Sequence, residues 1–162
     1  MLRRAGVHAR ALARTRSDGE GRFALQNTPN EAGLEVAAWH GVPDILINNA
    51  GIGHAGAFLA TPSESFHRVM AINFYGVVSG CRAFGAKMVQ RGSGGHIVNL
   101  SSMAAYLPQR SFAAYTTSKA AVFMFSDCLR AELAGSGIGV STICPGVVHT
   151  NIVANTQFSG VS

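Results

Sequence analysis

The chain has 162 residues, 48% of them hydrophobic and 13% charged, a composition typical of a folded domain and not of a disordered segment. Its formal net charge of +5 is concentrated in residues 1–22, which hold six arginines, so the charge gives no case for a nucleic-acid partner. No apolar run approaches the ~18 residues of a membrane span, and the six histidines lack metal-ligand spacing, so we expect neither a span nor a metal site.

Residues 1–30 form an atypical basic segment without a pattern of alternating strands and helices. If the segment is helical, small apolar side chains share one face and arginines the other, which fits an organelle-targeting segment or a helix on an acidic surface. We favour a simpler interpretation, a chain start that is not native sequence, because one short amphipathic run is a common pattern. The run 19–24 matches G-x-G-x-x-A, but no strand pattern precedes it, so we interpret it as a turn.

The next segments predict a helix and then a buried strand. Residues 31–40 favour a short helix. Residues 44–50 are a continuous apolar run, which predicts a strand buried on both faces of a parallel sheet. The G-x-G-x-x-G match at 51–56 follows that strand, yet the next helix signal comes only at 61–64, a capping box with Pro62 at the first helical position. We therefore do not assign 51–56 as a pyrophosphate-binding loop.

A long helix is predicted over residues 62–90, where apolar side chains recur at steps of three or four. Asn73 falls on this apolar stripe. A buried amide destabilises the fold unless it is hydrogen-bonded. Asn73 is therefore either a satisfied core amide or a residue kept there for function.

Residues 96–101 predict a second strand. Ser102 follows this strand in a loop outside its carboxyl end, where open α/β sheets place their ligands. Ser101 is the competing candidate for a functional hydroxyl at the same strand end.

A second long helix is predicted over residues 112–133. Tyr115 and Lys119 lie four residues apart in it, so their side chains share one face, one turn apart. An ammonium beside a phenol stabilises the phenolate, which suits the phenol to exchange a proton with an alcohol or a carbonyl. A short strand at 139–144 then precedes a turn at Pro145-Gly146.

Five motifs in this order resemble the catalytic middle of the short-chain dehydrogenase/reductase family. They are NNAG at 48–51, Asn73, Ser102, the pair Tyr115-x-x-x-Lys119, and PGVVHT at 145–150. The resemblance covers roughly residues 31–158 and implies an NAD(P)-dependent oxidoreductase that interconverts a secondary alcohol and a ketone. It also implies an α/β fold, Rossmann-like and three-layered α/β/α, around a parallel sheet.

The resemblance implies a role for each site residue. Tyr115 is the acid/base, and Lys119 stabilises its ionised form and holds the cofactor ribose. Ser102 binds the substrate oxygen, and we prefer it to Ser101 because its spacing to Tyr115 matches that of the family. Asn73 holds a helix kink and a water that relays protons. The implied cofactor-binding residues are Asn48, Ala50, Gly51, Tyr115, Lys119, Pro145, Gly146, Val148 and Thr150, the last of which could also cap a helix at 151–157.

The family's TGxxxGxG phosphate loop does not occur in the chain, and 47 residues precede Asn48, whereas two βαβ units need about 60. We therefore expect an incomplete domain over 31–162, with the N-terminal βαβ units largely missing. Such a domain exposes a strand edge at 44–50 and favours self-association.

The resemblance implies NAD or NADP without choosing between them, and a small alcohol or ketone as substrate. It also implies a homo-oligomer formed through helices 62–90 and 112–134. Three cysteines without C-x-x-C spacing indicate reduced core thiols in a cytoplasmic protein. The alternative function is that of an inactive fragment that only self-associates or binds a partner.

Overall fold

The computed structural model describes residues 41–148, 152 and 156–160. The strands within them are β1 (Ile45–Asn48), β2 (His54–Gly56), β3 (Gly95–Leu100), β4 (Ile138–Ile143) and β5 (Gln157–Ser159). Three of these form a parallel sheet in the order β1-β3-β4, which confirms the predicted parallel α/β architecture. The basic segment 1–30, the predicted helix 31–40 and Thr150 lie outside the described residues.

Residues in register across the sheet form the centre of the core. Leu46 of β1 lies opposite Ile97 of β3, which lies opposite Val140 of β4, and all three are buried. Side chains alternate between faces along a strand, so this row marks the core face of the sheet. Both long helices pack on this face, since Val77 of the first and Val122 of the second belong to the same buried cluster.

The opposite face of β1 is exposed, so the prediction that this strand is buried on both faces is wrong. Ile45 and Ile47 are 61% and 60% exposed. Their apolar character favours a strand, but burial of both faces requires helices on both sides of the sheet. The described helices pack on the core face only, and two of the three predicted layers are therefore present in the described residues.

The first long helix is one continuous run over residues 63–91, which we call the segmented helix. Its α-helical parts are α1 (Ser63–Met70), α2 (Gly76–Gly80) and α3 (Ala86–Arg91), joined by π-helical turns at Ala71–Tyr75 and Cys81–Gly85. The predicted apolar stripe is buried along its second half, at Val77, Cys81, Phe84 and Met88. Single π-helical turns inside α-helices are frequent at functional sites.

The start of this helix differs from the predicted capping box. The helix begins at Ser63, and no side chain caps it. The hydroxyl of Thr61 donates instead to the carbonyl oxygen of Ala57, 3.0 Å away. A 3₁₀ turn at Phe58–Ala60 brings that oxygen within reach, and this turn is too short to leave a periodic signal in the sequence.

The second long helix, α4 (Ala113–Leu133), agrees with the prediction to within one residue at its start. It ends through a 3₁₀ turn at Ala134–Ser136, where Gly137 adopts a φ of 67°. This left-handed conformation favours glycine and ends the helix. The buried stripe of α4 includes polar and charged side chains, namely Ser118, Lys119 and Ser126.

The strands β2 and β5 pair in parallel as a separate two-stranded sheet. The sequence does not indicate them, because three residues are too few to show a strand period. Gln157, the last residue of the helix considered at 151–157, is the first residue of β5.

The cysteines differ in burial although all of them are free thiols. Cys81 is buried, Cys144 is half-buried and Cys128 is exposed. The prediction of a core thiol is therefore wrong for Cys128, which lies two residues beyond the buried Ser126 and so on the opposite side of α4.

None of the helices in the described part of the chain is long and apolar enough to cross a membrane.

Candidate active site

The carboxyl ends of β1, β3 and β4 meet at one edge of the sheet, because the three strands are parallel. The NNAG run continues from β1, Ser101 and Ser102 follow β3, and Pro145 follows β4. Backbone hydrogen bonds join the last two loops, from Ser101 N–H to Ile143 O at 2.8 Å and from Met103 N–H to Pro145 O at 2.9 Å. Segments distant in sequence therefore come together at this edge.

Lys119 is a buried cation at this edge, with 3% of its surface exposed. Its Nζ donates to the carbonyl oxygen of Leu100 at 2.9 Å and lies 5.9 Å from the centroid of the Tyr115 ring. The ion pairs among the described residues involve Arg91 and Arg130, so no carboxylate described in the structure neutralises Lys119. Within the described part of the chain Leu100 O is its one hydrogen-bond acceptor, so two of the three ammonium hydrogens can bond further oxygens.

Burial lowers the pKa of the Lys119 ammonium from its ordinary 10.5 to about 8, an effect that the nearby Cys144 partly offsets. The chain contains two lysines, Lys87 and Lys119, so lysine-selective ¹³C labelling gives two side-chain signals. We expect the Lys119 signal to titrate near pH 8 in the protein without cofactor. A Lys87→Arg variant assigns the signals, and a Lys119 midpoint above about 10 would contradict the buried position of this ammonium.

The same shift makes stability depend on pH. Between about pH 8 and 10.5 the unfolded chain holds the Lys119 proton and the folded chain does not, so the free energy of unfolding rises with pH across this window. The penalty for burying the charge, about 3 kcal/mol for a shift of this size, applies in full below about pH 8. Lys119→Met removes this titration, so its stability relative to the unsubstituted chain should fall between about pH 7 and pH 10.

Asn73 lies in the first π-helical turn and is fully buried. Its Oδ1 accepts a hydrogen bond from Ile52 N–H at 2.8 Å, and its Nδ2 donates to Ile52 O and to Ser118 Oγ, each at 3.0 Å. Asn73 is thus a satisfied amide that joins the loop after β1 to α4. Its predicted part in a proton relay stays a prediction.

The two serines after β3 have different surroundings. Ser101 is buried, and its Oγ donates to the backbone carbonyl of Lys119 at 2.7 Å. Ser102 is half-buried, and its Oγ accepts from Ala104 N–H at 3.1 Å. Because Oγ only accepts in that bond, and no acceptor for its proton is found among the described residues, the Ser102 hydroxyl can donate to a further oxygen.

Gly51 lies in the loop after β1, beside Lys119 and Asn73. A Cβ atom at Gly51 would lie 3.3 Å from Lys119 Nζ and 3.4 Å from Asn73 Oδ1, so a side chain there would crowd both groups. The adjacent residues Asn49 and Ala50 are exposed. The nicotinamide end of a dinucleotide fits this surrounding, because the bare backbone admits a flat group and the ammonium hydrogens suit the hydroxyls of a ribose.

The side chain of Asn48 points into the core and not into the open edge. Its Nδ2 donates to Asn99 Oδ1 at 2.8 Å and to Cys81 Sγ at 3.4 Å. Burial raises the pKa of this Cys81 thiol to about 11, so it is a neutral partner. The predicted contact of Asn48 with a cofactor can therefore come only from its backbone.

The other predicted cofactor residues follow β4. The carbonyl oxygen of Pro145 accepts a hydrogen bond from Met103 N–H. A Cβ atom at Gly146 would lie 3.2 Å from Met103 Sδ. Val148 is 50% exposed. Thr150 lies outside the described residues.

Sequence reasoning missed two partners of Asn73, the backbone of Ile52 and the side chain of Ser118. A backbone partner leaves no signal in the residue type. Ser118 does leave one, since it is a polar residue beside Lys119 on the inner face of an apolar helix and so needs a buried partner.

The family model "short chain dehydrogenase" matches residues 29–158, which confirms the resemblance found over 31–158. Over 123 residues the chain is 68% identical to the protein named "Probable oxidoreductase EphD" of Mycobacterium tuberculosis, covering 76% of this chain and 21% of that protein. It is 38% identical over 147 residues to the 2-(R)-hydroxypropyl-CoM dehydrogenase of Xanthobacter autotrophicus, covering 89% of this chain and 57% of that enzyme. The chain thus spans one fifth to three fifths of these relatives.

Solved structures show the same fold. A short-chain dehydrogenase from Streptomyces avermitilis superposes with a TM-score of 0.76 at 33% identity, over 83% of this chain and 51% of that one. A gluconate 5-dehydrogenase from Burkholderia cenocepacia, solved with NADP and tartrate, gives 0.74 at 32% identity, over 76% of this chain and 48% of that one. With a parallel Rossmann-like sheet and a family match over most of its length, the chain belongs to the short-chain dehydrogenase family.

Proposed function

We propose that the chain carries the catalytic part of an NAD(P)-dependent oxidoreductase that interconverts a secondary alcohol and a ketone. The observation that carries this proposal is the buried ammonium of Lys119 beside the Tyr115 ring, without a carboxylate partner among the described residues. A buried charge is costly, and titratable groups with shifted pKa values in such positions are frequent at catalytic sites.

The proposed chemistry divides the reaction between cofactor and protein. A nicotinamide cofactor, when bound, would supply hydride exchange at the substrate carbon. Tyr115 exchanges the proton with the substrate oxygen, and the positive charge of Lys119 favours the ionised phenol. Ser102 orients the same substrate oxygen through its free hydroxyl proton. Asn73 keeps the loop after β1 against Lys119, and its part in a proton relay is included in the proposal.

The choice between NAD and NADP is left open in the proposal. One solved neighbour was crystallised with NADP and tartrate, and another, a Burkholderia phymatum enzyme at 30% identity, with NAD. Among the implied cofactor residues, the backbone of Ala50 and Gly51 and the loop at Pro145-Gly146 would contact the nicotinamide end, with Val148 and Thr150 completing that side.

Titration with NADH and NADPH, followed by nicotinamide fluorescence or calorimetry, tests the cofactor step directly. We expect binding in the micromolar range and a loss of at least ~10-fold in Lys119→Met, because the ammonium no longer reaches the ribose hydroxyls. Lys87→Met, which changes the other lysine of the chain, is the matched control and should bind as the unsubstituted chain does. Absence of binding at millimolar cofactor would refute the proposal for this chain.

We further propose a cytoplasmic homo-oligomer assembled through the two long helices. Exposed apolar side chains on both helices support this, namely Tyr75, Val89 and Met124. The free cysteines support a reducing compartment.

A further inference from the structure

We propose that Ser118 is a positioning residue of this site, which holds the loop after β1 and the Tyr115–Lys119 turn together as one unit. Ser118 lies between the two proposed catalytic side chains on α4, and it is fully buried. The inference rests on the proposed function, because a positioning role matters only if Tyr115 and Lys119 act in catalysis. The contacts from which it is argued are formed without any cofactor.

The hydrogen bonds of Ser118 have a fixed direction. Its Oγ donates to the backbone carbonyl oxygen of Tyr115 at 2.7 Å. The single hydroxyl proton is used in that bond, so Oγ faces Asn73 with a lone pair and accepts from Asn73 Nδ2 at 3.0 Å.

The orientation of the Asn73 carboxamide follows from this bond. Because Nδ2 faces both Ser118 and Ile52 O, Oδ1 faces Ile52 N–H at 2.8 Å. A carboxamide turned the other way would set oxygen against oxygen at both partners. Ser118 and Ile52 together therefore fix Asn73 in one of its two orientations.

The contacts of Ser118 lead through Asn73 and the loop after β1 back to α4. Ile52 is held by Asn73, and the preceding Gly51 lies against Lys119, where an added Cβ would come within 3.3 Å of Nζ. Lys119 is the next residue after Ser118. Loss of the Ser118 hydroxyl would leave a buried N–H of Asn73 without a partner, and the loop that shields Lys119 would loosen.

Ser126 offers a matched control two turns further along α4. It is also fully buried, its Oγ donates to Val122 O at 2.7 Å, and it accepts from Asn99 Nδ2 at 2.9 Å. The chemistry of the two serines is therefore the same, but Ser126 contacts neither Asn73 nor Lys119 in the described bonds. Alanine is a good helix former, so both Ser→Ala variants should keep α4.

The test compares Ser118→Ala with Ser126→Ala in the full chain without cofactor. Lysine-selective ¹³C NMR follows the titration of Lys119, with Tyr115 and Cys144 as the neighbouring titratable groups, and amide hydrogen exchange follows Ile52. In Ser118→Ala we expect the Lys119 midpoint to rise by at least ~0.5 pH unit as water reaches the ammonium. We also expect Ile52 exchange to be roughly ten times faster. In Ser126→Ala both readouts should stay unchanged.

Equal effects of the two substitutions, or no effect of Ser118→Ala on either readout, would overturn the assignment of Ser118. Failure of the proposed function gives a different result. In that case the unsubstituted chain binds no NADH or NADPH, while Ser118→Ala still shifts Lys119 and Ile52.

Discussion

Replacement of Tyr115 by Phe is expected to lower kcat by roughly 10²–10⁴-fold, the usual contribution of a general acid or base. The substitution removes the hydroxyl that exchanges a proton with the substrate oxygen and keeps the ring next to Lys119. No hydrogen bond to this hydroxyl is formed within the described residues, so the free energy of unfolding should change by less than about 0.5 kcal/mol. The measurement is steady-state turnover of a panel of secondary alcohols and ketones with either nicotinamide cofactor.

Tyr75→Phe is the control, because Tyr75 is 51% exposed and lies on the outer side of the segmented helix. It loses the same hydroxyl outside the site and should keep full turnover. Tyr75→Phe should also bind cofactor as the unsubstituted chain does, whereas Tyr115→Phe loses one hydroxyl among the implied cofactor contacts. Turnover by Tyr115→Phe at the rate of the control would remove Tyr115 from the mechanism.

Substitution of Gly80 by Ala is expected to destabilise the fold by about 2–4 kcal/mol, from steric overpacking and unsatisfied buried amides. A Cβ atom at Gly80 would collide with Asn48 Oδ1. Asn48 could then no longer donate to Asn99, whose own Nδ2 bonds Ser126 on α4. One methyl group would thereby disturb the contacts among β1, β3 and both helices.

Gly76→Ala, four residues earlier in the same helix, is the matched control. The nearest atom to a Cβ there is the carbonyl oxygen of Ala71 at 3.8 Å, an ordinary contact. Ala is a better helix former than Gly by about 1 kcal/mol, so this variant should be slightly more stable. Urea unfolding of both variants gives the comparison, and a Gly80→Ala protein as stable as Gly76→Ala would show that Asn48 is free to move away.

Both long helices and the three strands of the main sheet could be predicted from the sequence, the strands β3 and β4 to within one residue, whereas the three-residue strands β2 and β5 could not. The apolar run before NNAG and the repeats in both helices give β1, the segmented helix and α4. Whether helices cover the second face of β1 depends on other parts of the protein. The apolar pattern of the strand therefore could not show that Ile45 and Ile47 are exposed. β2 and β5 are held by pairing with each other and carry no local signal.

The residues of the candidate site also differ in how far they could be predicted. The resemblance to the family in residue type and spacing indicates Tyr115, Lys119 and Ser102. In the structure Ser102 follows β3, and Lys119 Nζ donates to Leu100 O at the end of the same strand. Asn73 is recognisable as a polar residue on an apolar stripe, but its partner Ile52 bonds through its backbone, which any residue possesses. For Asn48 the resemblance implies a cofactor contact, whereas its side chain belongs to the core network with Asn99.

The strand order β1-β3-β4 also has a consequence for how the chain reaches its native state. Each strand pair in this sheet closes only across a long helix, as the partners Ile45 and His96, or Ile97 and Val140, show. Such non-local pairing slows folding relative to helices that form from neighbouring residues. The segmented helix and α4 should therefore gain structure before the sheet, and the amides of the central strand β3 should be fully protected only once both β1 and β4 have paired with it.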